Sequence, residues 1–425
     1  MKQKSIIWLM AGLLMLLLAG CGEDSQTTRD GRVQIDYWVL FGGGDLDFMQ
    51  EIVDDYNESQ DDVYVNVVLQ DYDEYYTKLT TSVVADRGPD VAVSHAAVLP
   101  DLVNQGLTMP LDSIAEEAGL DWETYNENIV DSIEVEGERH AVPLDTHPMI
   151  MYFNTDLAEE AGMVDENGEL LLEEESPESF LEFLGRPNDE GMEASPIALS
   201  TGGADAYRLW WAFYHQMGGT PIFDAEDLND VKVSLDKETA VEAVKYLKSF
   251  YYEEELIPLN SADFFQDFQS ERTVGIMTGV WGTGTFEATD LNIQAYPIPS
   301  VFGEKAAWGD SHTLIMPIKD DTNTERQQAS MDFIEYVTTQ GGLTWTEAGH
   351  IPADNETVES DEFNAMPNRS EYAEVADYVE YPPKTIYYRP AETEMTRSID
   401  EILADRVSPE QGIDDMVNEL EAIVN

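Results

Sequence analysis

Eleven side chains in this chain have types and positions suited to chemistry. Asp45, His95, Asp145, His147, Asp310 and His312 supply hydrogen-bonding groups, and Trp38, Trp211, Trp281, Trp308 and Tyr388 supply flat rings. Carboxylates and imidazoles make paired hydrogen bonds to hydroxyls that both donate and accept, while rings offer platforms for C–H faces. The mixture suits capture of a polyhydroxylated solute such as a sugar, so the chemistry expected is binding. Motifs for other chemistry are missing: no phosphate loop, no His-Glu-x-x-His and no Gly-x-Ser-x-Gly occurs. Gly282-x-Gly284 lacks the rest of a dinucleotide fingerprint. Neither a metal ion nor a cofactor is expected. With 86 acidic residues, a carboxylate pair at glycosidase spacing could arise by chance. An anchored glycoside hydrolase is therefore the alternative, and product formation would reveal it.

Each candidate also has a plainer structural reading. A tryptophan on an alternating strand, such as Trp38, can be core, and so can Trp211, Trp281, Trp308 and Tyr388. Asp45 precedes a helix predicted to start at Leu46 and can cap it. His312 opens a strand and can be a satisfied core histidine.

The elements that must position these residues begin with a strand at Val33 to Leu40, a glycine cluster and a helix over Leu46 to Asn57. A strand at Val63 to Leu69, a helix at Tyr75 to Val84 and a strand at Val91 to Ser94 follow. This rhythm predicts a parallel sheet with helices on its faces, whose ligands sit beyond the carboxyl ends of the strands. That edge carries the loops after Trp38 and Ser94. Further on, Met149 to Asn154, Val274 to Thr278, Ile293 to Tyr296 and His312 to Pro317 read as strands among helices. Ser408, Pro409 and Gln411 form a helix start with an N-cap serine and a capping-box glutamine.

The N-terminus is read as an export signal: Lys2 and Lys4 precede an apolar run, Ile6 to Ala19, that is too short to span a bilayer. Leu18-Ala19-Gly20-Cys21 resembles the bacterial lipobox, which predicts acylation of Cys21. Cys21 is the only cysteine, which excludes an internal disulfide and any Cys-based metal site. Residues 22–32 then form a tether. The net charge of −64 repels nucleic acid and anionic headgroups, so contact with the membrane is expected only through the anchor. Acidic residues scattered along the whole chain, with few lysines, point to adaptation to high salt.

Several segments, in order, resemble the family 1 extracellular solute-binding proteins of bacterial ABC sugar importers, the maltose-binding-protein type. They are Asp36-Tyr37-Trp38 to Asp45, Gly88-Pro89-Asp90-Val91-Ala92, Val142-Pro143-Leu144-Asp145-Thr146-His147-Pro148, and Tyr152-Phe153-Asn154-Thr155-Asp156-Leu157. Later blocks are Gly275-Ile276-Met277 to Trp281, Trp308-Gly309-Asp310-Ser311-His312 and Ala348-Gly349-His350-Ile351-Pro352-Ala353. The resemblance implies an α/β fold of two lobes (type II), with the ligand held in a cleft between them. The first lobe would comprise 33–145 plus 291–320, and the second 146–290 plus 321–425. It implies a monomer that delivers a sugar or oligosaccharide to permease subunits from the outer face of the cytoplasmic membrane. Asp145 and His147, before Pro148, would lie at a lobe crossing, where a hinge role competes with ligand contact. Four of the six histidines fall in cleft-matching blocks (His147, His312, His350, and His95 in the block that runs on from Gly88 to Leu102), and these contain almost no arginine. That scarcity favours a neutral ligand over an anionic one. A non-sugar ligand on the same fold is the third reading.

Overall fold

A computed structural model describes residues 28, 31–42, 44–72, 74–225, 227–259, 261, 263–320 and 323–425. The expected signal segment, Cys21 and nearly all of the tether lie outside the described residues. No helix among the described residues is long and apolar enough to cross a membrane.

Val33–Val39 alternates buried and half-buried residues, as a strand covered unequally on its two faces must. It pairs in parallel with Val63–Leu69 on one side and Val91–His95 on the other. His312–Ile315 joins antiparallel beside Val91–His95, setting His312 opposite His95, and Val142–Pro143 closes the sheet. The predicted parallel rhythm holds for the first three strands, and the Tyr75–Val84 helix has the expected limits.

A second sheet is built around Asp145–Asn154, a ten-residue strand that is buried throughout. Thr273–Gly279 and Ile293–Pro297 pair antiparallel with its later residues. Its first residues pair with Ala307–Asp310 and Ile351–Pro352. Burial on both faces explains the unbroken apolar run Met149 to Phe153. Met149, Met151 and Phe153 enter the second-lobe core, while Ile150 and Tyr152 join the core continuous with the first lobe.

The lobe boundaries differ from those expected. Ile293–Pro297 and Ala307–Asp310 belong to the second sheet, so of 291–320 only His312–Ile315 is a strand of the first. Conversely, Thr324–Thr338 and Gly342–Glu347 cover the first sheet, not the second: Phe333 meets Tyr37 and Tyr56 edge-on at 5.2 Å. An amphipathic helix records that one face is buried but not which sheet buries it. The chain thus crosses between lobes near Leu144–His147, Asp310–His312 and His350–Ala353. Backbone bonds tie the crossings together: Leu144 N donates to His312 O at 2.8 Å, and Ala353 N to Leu144 O at 3.1 Å.

Ser408 caps the last helix as expected, accepting from Gln411 N at 3.2 Å. The Gln411 side chain donates to Asp415 instead of returning to the cap, so the capping box stays open. Asp165 accepts from the backbone of Asn167 and Glu169 and makes the expected turn before Gly168.

Charge is the main liability of this fold. The helices Gly44–Ser59, Lys237–Tyr252, Thr324–Thr338 and Pro409–Val424 each carry acid in the first turn but no base in the last. Their C-terminal dipole ends are therefore uncompensated. Screening the self-repulsion should raise the melting temperature by about 5 °C or more between about 0.1 M and about 2 M NaCl. Differential scanning calorimetry across that series checks it; a flat profile would contradict salt adaptation.

Candidate functional site

The three crossings lie side by side, and their side chains converge on one carboxylate. Asp145 and His147 are two residues apart on an extended strand and so share a face. Asp145 is wholly buried and accepts from His312 N at 3.0 Å and Trp345 Nε1 at 2.7 Å. His312 Nδ1 lies 2.8 Å from Oδ2, and His147 Nδ1 lies 3.0 Å from Oδ1. His350 comes from the third crossing; its Nε2 is 3.3 Å from Asp45 Oδ2, and its Nδ1 is 3.8 Å from Asp145 Oδ2. The Trp345 ring stacks on His350 with centroids 4.8 Å apart and planes 8° off parallel. Gly349 has φ +110°, and a side chain there would collide with the Val280 carbonyl, so glycine fixes how His350 enters the cluster.

Burial alone would raise the Asp145 carboxyl. The His312 and His350 charges and the hydrogen bonds from His147 and His312 outweigh it and hold the group well below the usual range. Burial, reinforced by the His312 charge, pushes His147 down to about 3. His95 is pushed well below its ordinary value, first by burial and then by His312 and His147.

Outward from this cluster runs the seam between the lobes. The Tyr76 hydroxyl lies 2.6 Å from His95 Nδ1 and accepts from His95 N, while the Arg389 guanidinium from the second lobe sits 5.2 Å over the Tyr76 ring. Arg208 faces two rings, 4.9 Å from Trp281 and 4.2 Å from Trp308, and pairs with Asp205 at 2.8 Å. Asp310 accepts from Ser311 N and, across the seam, from Ala97 N. Burial raises its carboxyl to about 7, with Arg208 opposing. The lobes also meet at Asn229 and Asn104, 3.2 Å apart. Farther along, a cavity of about 830 Å³ is lined by Val135 and Glu136 of the first lobe and by Phe223, Leu228 and Pro383 of the second.

The structure therefore brings together Asp45, His95, Asp145, His147, Asp310, His312, Trp281 and Trp308. Asp45 lies inside the helix that starts at Gly44, so its carboxylate serves His350 and not the cap expected of it. Trp38 packs half-buried against the first core with Lys78 5.7 Å over its ring. Trp211 is buried in the second core, where its Nε1 donates to Glu380 O. Tyr388 is buried there too, with its hydroxyl near Tyr207 and Glu392.

Sequence reasoning missed Tyr76, Arg208, Trp345, Arg389 and Glu392, and quoted His350 without giving it a role. The inference that arginine is scarce at the site needs correction, since Arg208 and Arg389 both reach the seam from helices outside the matching blocks. Arg389 is the second residue of its helix, Tyr388–Leu403, where the dipole disfavours a cation, and Arg208 lies one turn into Ala204–Gln216. A base so placed, in a chain with only 22 Lys and Arg, was the available signal.

Two α/β lobes joined by three crossings thus face each other across a polar, aromatic seam. The chain belongs to the bacterial extracellular solute-binding protein family, whose family model matches residues 51–371. It is similar to the arabinooligosaccharide-binding protein of Bacillus subtilis, 21% identical over 304 residues, which are 67% of this chain and 64% of that one. The chain thus aligns with just under two thirds of that relative's length. Among solved structures it resembles the sugar-binding protein MalE from Xanthomonas citri, with TM-score 0.78 and 16% identity over 92% of this chain and 97% of that chain. It also resembles UgpB from Mycobacterium tuberculosis in complex with glycerophosphocholine, with TM-score 0.76 and 16% identity over 93% and 99% of the two chains. At these identities the likeness shows the fold.

Replacing Asp145 by asparagine keeps the size but turns one oxygen into a donor. Each Asp145 oxygen accepts from one fixed donor, Oδ1 from His312 N and Oδ2 from Trp345 Nε1, so either orientation of the amide sets a donor against a donor. Asp145→Asn should cost about 3 kcal/mol in urea unfolding at fixed salt; a change under about 0.5 kcal/mol would contradict the central role of this carboxylate.

Proposed function

We propose that this protein is an exported, Cys21-anchored receptor that closes on a sugar or oligosaccharide and presents it to the permease of an ABC importer. The observation that carries the reading is the seam itself. Trp281, Trp308 and Tyr76 supply ring faces, and His95, Asp310, Arg208 and Glu392 supply hydrogen-bonding groups drawn from both lobes. A ligand touching both lobes favours closure by its differential affinity for the closed state. Family membership and the oligosaccharide-binding relatives support the same reading. The protein is proposed to bind and release its solute unchanged, as a monomer that meets the membrane only through its anchor. A second reading, a polyol carrying a phosphate, is favoured by the two arginines at the seam.

The test is thermal unfolding in molar salt against mono- and oligosaccharides and glycerophosphocholine, followed by calorimetry and product analysis of the best ligand. A ligand at 100 times its Kd stabilises by about 2.7 kcal/mol. A shift with one sugar class and no product supports the receptor; a shift with the phosphodiester alone moves the assignment to the second reading. Hydrolysis would overturn it in favour of an enzyme.

With the ligand in hand, Trp281→Ala should weaken binding about tenfold, which is ~1.4 kcal/mol, while leaving the unliganded melting temperature within a few degrees. Unchanged affinity would remove Trp281 from the site. Cys21→Ser should release the protein from the membrane fraction into the medium or periplasm.

A further inference from the structure

The geometry points to a site for one divalent transition-metal ion of zinc type, held by Asp145, His147, His312 and His350 at the junction of the three crossings. Among the described residues, each of these four offers a ligand atom within 4.8 Å of all the others, and all four residues are buried. The atoms around Asp145 are the Nδ1 atoms of His147 at 3.0 Å, His312 at 2.8 Å and His350 at 3.8 Å. Four ligands at zinc distances in a tetrahedron stand about 3.3 Å apart. Seating an ion therefore asks the closest of these atoms to part slightly and the farthest pair to draw together by up to about 1.5 Å.

A second observation comes from His350. Its Nδ1 is buried without a hydrogen-bond partner, and it faces the cluster. Its Nε2 is engaged by the Asp45 carboxylate. Nδ1 faces the Asp145 carboxylate at 3.8 Å, so the place between them calls for a cation: a proton on Nδ1, or a metal ion that displaces that proton on binding. A carboxylate holding the outer nitrogen of an imidazole whose inner nitrogen faces the site is the outer-shell arrangement of metal centres. Trp345 Nε1 and His312 N orient Asp145 in the same manner. Three imidazoles and one carboxylate suit zinc, and they lack the all-oxygen character that calcium or magnesium requires.

The consequence is mechanical as well as chemical. Asp145 and His147 come from the first crossing, His312 from the second and His350 from the third, so one ion would staple all three strands about which the lobes turn. The burial of the ligands means that loading requires the lobes to part or the chain to fold around the ion.

The test uses the mature full-length chain, stripped with a chelator and titrated in molar NaCl so that surface carboxylates are screened. Zinc ions alone are the first probe and cobalt(II) the second. One equivalent of zinc should bind, either directly or on refolding in its presence, and raise the melting temperature. Cobalt should give the strong visible absorption of a tetrahedral nitrogen-rich site. His350→Ala and His350→Gln should weaken binding by more than the ~10–100-fold typical of an outer-shell loss. His215→Ala, outside the cluster, should bind as the parent does. Failure of both native and refolded protein to take up an equivalent overturns the site, as does binding that survives both His350 variants. If neither variant folds, the cobalt spectrum of the parent decides: weak, octahedral absorption would assign the ion to carboxylates elsewhere. No carbohydrate enters the test, so its failure leaves the receptor reading standing.

Discussion

A single carboxylate, Asp145, holds the junction on which both lobes depend. It is charged, removed from water, and surrounded by donors from each of the other two crossings or their flanking helix. A buried ion of this kind is tolerated only when its oxygens are fully satisfied. The donors come from positions up to 200 residues away in the chain, so their alignment is a property of the whole fold. Were the register of His312 against His95 to slip by one residue, the imidazole would turn to the other face and Asp145 would lose both of its bonds from that residue.

The same junction sets the character of the seam. His95, the cross-strand partner of His312, reaches outward to Tyr76, and Asp310, opposite His147, reaches to Ala97. The polar groups that join the lobes are thus the next layer of those that hold the crossings. The seam and the crossings share one continuous set of contacts. Arg208 and Arg389 add positive charge where the chain has little to spare, balanced by Asp205 and Glu392.

Much of the first lobe was legible because its elements are local. The strand at Val63–Leu69 and the helix at Tyr75–Val84 follow from alternation and from helical spacing, and both stand at the limits expected. Asp145, His147, Asp310 and His312 were legible through the order of the blocks around them. Their convergence on a common point was not, because it arises from strand register between segments 167 residues apart, which no local spacing records. Trp211 shows the limit of reading by residue type: a ring on a helix buried all round looks the same in sequence whether it faces solvent-filled space or core. Arg208 and Arg389 stand on helices outside the matching blocks, where local spacing does not tell which residue faces the other lobe.

The first sheet has a bearing on how the chain comes into being. Its fourth strand, His312–Ile315, lies between Val91–His95 and Val142–Pro143, and its outer helix is Thr324–Thr338. A chain emerging from its N-terminus therefore has to wait more than 150 residues after Pro143 before that gap can close, with the sheet edge unpaired and one apolar face bare in the meantime. Contacts this distant in sequence make folding slow. The first lobe is thus completed from the far end of the chain: whatever its early strands and helices have formed by themselves, the sheet is whole only once the last third of the sequence is available.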